Sequence, residues 1–225
     1  MKWIKIVFPF IVLFSFTAKV NAQELQEELK EVYKKFSDHS FKMEMEMTVY
    51  FWDSSQKPKI SNGIVKKQQM NYYTEFEGQI KLKNKDYTII VNESEKQLIY
   101  LELDDHSTKE NEALTMMSDT NALSKVKLIH TTSKYKEYEV EVGKHGIAKM
   151  SLKINKNKIL SEVVYYYSKT EENSVKQVKM VYKNIKFKTS FLQDEFSEKK
   201  YFNWRQGKKV LTNAYKSYTL VNIGY

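Results

Sequence analysis

Between Phe41 and Asp53 the chain reads FKMEMEMTVYFWD, apolar and polar residues in almost strict alternation. Successive side chains of a strand point to opposite faces, so a period of two predicts a half-buried strand. Phe41, Met43, Met45, Met47, Val49 and Phe51 take one face; Lys42, Glu44, Glu46, Thr48, Tyr50 and Trp52 take the other. The dry face holds three methionines in a row, where β-branched or aromatic residues are the usual choice. Methionine is unbranched and polarizable, and it adapts to irregular or changing surroundings.

The same alternation recurs downstream. Tyr138, Val140 and Val142 oppose Glu137, Glu139 and Glu141, and Ala148, Met150, Leu152 and Ile154 oppose Lys149, Ser151, Lys153 and Asn155. Strands are expected at 41–52, 58–67, 70–76, 79–83, 86–91, 97–103, 136–142, 147–154, 159–167 and 175–187. Short Asn-, Lys- and Gly-rich turns separate most of them, which favours antiparallel hairpins over parallel crossovers. A large sheet with one wet face must either pair with a second sheet or curl on itself. Ahead of the strands, QELQEELKEVYKKF places Leu25, Leu29, Val32 and Phe36 at helical spacing. One strong helix beside so much strand favours a sheet curled round that helix.

Residues 1–22 begin with Lys2 and Lys5, continue through an apolar run, and end Val20-Asn21-Ala22. This is the pattern of a cleaved secretory signal peptide, and the apolar run is shorter than the roughly 20 residues that a span needs. No cysteine is present, so no lipid-attachment site stands at the cleavage point. The expected location is the periplasm, with residues 23–225 as a single domain. Without Lys2, Lys5 and Lys19 the formal charge falls from +9 to +6, spread along the chain. No nucleic-acid partner is expected from that balance.

Catalytic signals are lacking. The absence of cysteine excludes a thiol nucleophile and a Cys-based metal site. His39, His106, His130 and His145 form no metal pair, and no nucleophile elbow or glycine-rich phosphate loop occurs. Glu44 and Glu46 sit i, i+2 beside Lys42, which fits a solvated strand face better than a carboxylate pair. Asn92-Glu93-Ser94 matches a glycosylation sequon, but a turn role suffices for it. Residues 104–124 lose the alternation; Leu114, Met117 and Leu123 there suggest short helices acting as a lid or plug. No enzyme activity, metal or cofactor is expected.

The order of elements resembles the LolA/LolB-type lipoprotein carriers. An exported chain opens with the amphipathic helix ELQEELKEVYKKF, followed at once by the strand SFKMEMEMTVYFWD. NGIVKKQQMNYYTE is similar to a Gly-, Lys- and aromatic-bearing hairpin of the family, VNESEKQLIYLEL to one of its strand pairs, and INKNKILSEVVYYYS to its late hairpin. VKMVYKNIKFKTSFLQDEFSEKKYF is similar to its closing segment. The hairpin's proline is missing, and its inward arginine is Lys67, which lacks arginine's planar fork. The tail after residue 202 runs past the usual ending and could add a strand.

The resemblance implies a mainly β fold with α. One curved antiparallel sheet would form an incomplete, half-open barrel around the N-terminal helix and short plug helices. It also implies an apolar cavity for lipid or lipoprotein acyl chains, with Met43, Met45, Met47, Val49, Lys67, Tyr87 and Ile89 expected along its lining. Partners would be an inner-membrane donor and an outer-membrane acceptor. A non-catalytic protein-interaction or structural module on the same fold, in envelope stress sensing or secretion, is the alternative. An interior packed solid with aromatics would favour it.

Overall fold

A computed structural model describes residues 4–103, 125–144, 146–170 and 173–224. Among these residues it is mostly β with one α-helix, α1 (Ile4–Asp38). The helix runs back from the amphipathic stretch through the segment read as a signal peptide, so it is longer than the expected three to four turns. Among the described residues, no helix is long and apolar enough to cross a membrane.

Fourteen strands follow among the described residues: β1 (Phe41–Phe51), β2 (Lys59–Gln68), β3 (Asn71–Phe76), β4 (Gln79–Lys83), β5 (Tyr87–Asn92), β6 (Gln97–Glu102), β7 (Val126–Thr131), β8 (Tyr135–Lys144), β9 (Ile147–Asn155), β10 (Leu160–Tyr167), β11 (Val175–Phe187), β12 (Phe202–Arg205), β13 (Lys208–Leu211) and β14 (Thr219–Asn222). Twelve of them hydrogen-bond in the order β14-β6-β5-β4-β3-β2-β1-β11-β10-β9-β8-β7. Among the described residues β14 and β7 therefore stand at the edges, and the sheet is not closed into a barrel. β14 pairs with β6 in parallel, from Thr219 opposite Gln97 to Asn222 opposite Tyr100, so the tail does add a strand. β12 and β13 form a separate two-stranded sheet. The segment expected to supply plug helices, 104–124, lies outside the described residues.

The ten expected strands match observed ones to within one or two residues at most ends. β7 was not expected: only its first residue, Val126, is buried, so it carries little of an apolar face. The chain divides into two compact units. One holds 1–35, 47–60 and 110–181; the other holds 36–46, 61–109 and 182–225. β1 and β11 each run through both.

In the first unit, Tyr138, Val140, Leu152, Ile154 and Val163 are buried to 1% exposure or less. The opposite face is a chain of charges. Glu139 pairs with Lys149 at 2.6 Å, and Glu162 takes both Lys153 at 3.2 Å and Lys179 at 2.8 Å. The alternation that marked these strands thus divides an apolar face from an ion-paired one. Burial pushes the Glu162 carboxyl up, but its bonds to Lys179 and Lys153 outweigh this and hold it below the usual glutamate value.

In the second unit, Phe36 at the end of α1 meets Phe41 at 4.9 Å and Phe187 at 5.2 Å between ring centroids. These edge-to-face contacts fix the step from helix into β1. On the wet side of β1, Glu44 accepts from Asn184 and Glu46 from Lys183, both at 2.7 Å. Each glutamate thus has a cross-strand partner on β11, which fits a solvated face. Asn92 spends its side-chain oxygen on Ser94, from both the backbone N–H and the hydroxyl, closing the turn between β5 and β6.

Candidate apolar binding face

The residues expected to line a cavity fall into three environments. Met43, Met45, Met47 and Val49 are all half-buried on β1. Nothing covers them as fully as a core residue, although Thr48, on the face read as wet, is buried to 8% exposure. A row of three adaptable side chains at partial exposure is a surface that can accept further apolar contact.

Lys67, on β2, reaches the end of α1. Its ammonium donates to the backbone carbonyl of Ser37 at 2.6 Å. The last carbonyls of a helix have no partner within the helix, and a cation there also meets the negative end of the helix dipole. Burial lowers the Lys67 ammonium below the usual lysine value, with Asp38 opposing the shift. A single acceptor needs one donor, so lysine serves here without arginine's fork. Neighbouring Lys66 pairs with Glu195 at 2.5 Å, and Asn84 donates to the Phe196 carbonyl at 3.1 Å and to Glu198 at 3.0 Å. These bonds hold residues 193–200 against β2 and the β4–β5 turn.

Tyr87 and Ile89 belong to a filled cluster. With Leu82, Val91 and Leu98 they make the apolar face of β4, β5 and β6, and Tyr201 and Phe202 cover it. Phe202 is 1% exposed, and its ring stands edge-on to Tyr87 at 5.3 Å. The structure therefore brings Tyr87 and Ile89 together, but under the tail and not in an open cavity. Sequence reasoning did not single out Tyr201 and Phe202, which end the segment that resembles the family's closing one. The dipeptide Gln206-Gly207, with φ of 50° and 73°, is the hairpin signal that could have placed β12 and β13.

A second feature lies in the first unit. Glu28, on the same helix face as Leu25 and Val32, is buried to 5% exposure. One carboxylate oxygen accepts from Lys136 at 2.9 Å and the other from Lys158 at 2.7 Å. Burial pushes Glu28 up, but the hydrogen bonds from Lys158 and Lys136 outweigh it, and its pKa falls below the usual value. Lys136 is raised by its bonds to Glu24 and Glu28. Beside this cluster is a pocket of about 120 Å³, lined by Glu28, Tyr135, Lys136 and Lys158 with Thr132, Ile154, Asn155 and Lys156. It is smaller than the roughly 300–1,000 Å³ of ordinary ligand pockets, too small for an acyl chain. Among the described residues, no group of three or more acidic or histidine side chains could hold a metal.

No protein-family description matches the chain, and no curated protein matches its sequence. Solved structures do. A conserved, uncharacterized protein from Thermus thermophilus aligns over 88% of this chain and 99% of its own, at 13% identity and a TM-score of 0.50. A DUF1329 family protein from Desulfovibrio piger covers 81% of this chain and 98% of its own, at 10% identity and a TM-score of 0.40. A LolA superfamily protein from Nitrosomonas europaea covers 77% of this chain and 97% of its own, at 14% identity and a TM-score of 0.36. The solved structures similar to this chain thus include a LolA superfamily member, the family that its order of sequence elements resembles.

Proposed function

We propose that the protein is an exported, non-enzymatic binder of lipid acyl chains that carries them, or lipoproteins bearing them, across the periplasm. The observation that carries this reading is the row Met43, Met45 and Met47, half-buried on one strand. Burying an acyl chain is worth about 0.8 kcal/mol per CH₂. A carrier must take up that energy and later release its cargo, and a deformable lining suits both steps. Val49 extends the row, and Lys67 fastens the end of α1, from which the chain passes directly into β1. Tyr87 and Ile89 form a second apolar face, at present beneath Tyr201 and Phe202. Donor and acceptor proteins at the two membranes would complete the route. The test is to purify the mature protein from its envelope, extract it for lipid mass spectrometry, and titrate it with a fluorescent fatty acid. Repeated absence of lipid together with no uptake defeats the reading.

The solid packing of Tyr201 and Phe202 on β4–β6 favours a second reading, a protein-interaction module on the same fold. It expects a protein partner and no lipid in the same experiment.

A further inference from the structure

The cover over β4–β6 is fastened in an unusual way. The chain enters it from residues 193–200, held by Lys66 and Asn84, and leaves it into β14, hydrogen-bonded to β6. Between these anchors, β12 and β13 pair only with each other, from Phe202 opposite Leu211 to Arg205 opposite Lys208. Their backbone joins no strand of the large sheet. Among the described residues, side chains alone fasten this hairpin to the face below.

One of them is Lys209. Its side chain is 5% exposed, and its ammonium pairs with Glu102 on β6. The ammonium also lies 4.1 Å from the ring centroid of Trp204, 4.5 Å from Tyr100 and 5.4 Å from Tyr87. Rings and one carboxylate replace the water that a buried ammonium gives up. Trp204 and Glu102, at 58% exposure and 53% side-chain exposure, put the cage at the surface. A latch of this kind opens without breaking a strand ladder.

We infer that the hairpin of residues 201–211 is a displaceable strap that occupies an acyl-binding face. Tyr201 and Phe202 stand where a chain would lie, Lys209 is the catch, and the anchors at either side keep the strap tethered when it lifts. The inference rests on the acyl-binding reading and deepens it. Tyr87 and Ile89 are then lining residues in the open state and core residues in the closed one.

The test uses the full mature chain and a fluorescent C16 fatty acid. Saturation of the wild-type protein should speed backbone hydrogen exchange at 201–211 while β5 and β6 remain protected. Lys209→Ala and Glu102→Gln should each tighten fatty-acid binding about five- to tenfold, the fold-change of one lost cation–ring or ion-pair contact. Lys209→Arg, which keeps the charge and stacks on the rings, should reverse the gain. Fatty acid that binds while exchange at 201–211 stays unchanged or slows, with neither variant tighter, overturns the strap and leaves the acyl-binding reading standing. No uptake by wild type, Lys209→Ala or Glu102→Gln overturns both. Should Lys209→Ala fail to fold, Glu102→Gln and the wild-type exchange experiment decide alone.

Discussion

Glu28 and Lys158 meet at 2.7 Å on the buried side of α1, with Lys136 on the other carboxylate oxygen. The helix offers Leu25 and Val32 to the interior, and between them a charge. Such a group is tolerated only because both of its oxygens are paired. Its lowered pKa makes it a source of acid sensitivity. A carboxyl with a depressed folded-state pKa contributes its full stability above the unfolded value, near 4.5, and loses it as pH falls through the folded value. Melting temperature should therefore drop on acidification through and below the ordinary glutamate range. Glu28→Gln should flatten that limb and cost about 1–3 kcal/mol at pH 7, since its lysine partners are partly exposed. A variant with the same acid limb as wild type would show that Glu28 plays no such part.

The methionine row makes a separate prediction. Replacing Met43, Met45 and Met47 together by valine keeps the dry face apolar and suits a strand. Circular dichroism should be unchanged, while fatty-acid uptake falls because the stiff side chains cannot follow a guest. Unchanged uptake would reduce the methionines to filling.

Lys67→Met should remove the donor to the Ser37 carbonyl at the end of α1. The expected cost is about 1 kcal/mol, read as faster hydrogen exchange in the last turn of α1 with little change elsewhere.

Gly63, on β2, has no room for a side chain. A Cβ there would come within 2.6 Å of the Phe76 ring and 2.7 Å of the Glu75 carbonyl. Gly63→Ala should destabilise by about 1–3 kcal/mol in urea unfolding, because a backbone atom cannot step aside as a flexible side chain can. A neutral result would mean that β2 and β3 separate more easily than their pairing implies.

Much of the sheet was legible because period two needs no tertiary information: FKMEMEMTVYF, YEVEV and IAKMSLKI announce which side chains share a face. Lys67 was legible as a position worth watching, but not its acceptor, which depends on where α1 ends. Glu28 was hidden because its helix pattern reads the same whether the acid is solvated or enclosed; only Lys136 and Lys158, more than a hundred residues away, decide it. Tyr87 and Ile89 looked like cavity lining for a related reason. An alternating strand specifies a face to be covered and is silent on what covers it.

The parallel pairing of β14 with β6 bears on the order in which the protein is made. Synthesis delivers β6 long before residues 219–222, so one rim of the growing sheet keeps a row of unmatched N–H and C=O groups until the final strand arrives. Until β14 docks, that rim is a sticky border, open to mispairing with another chain.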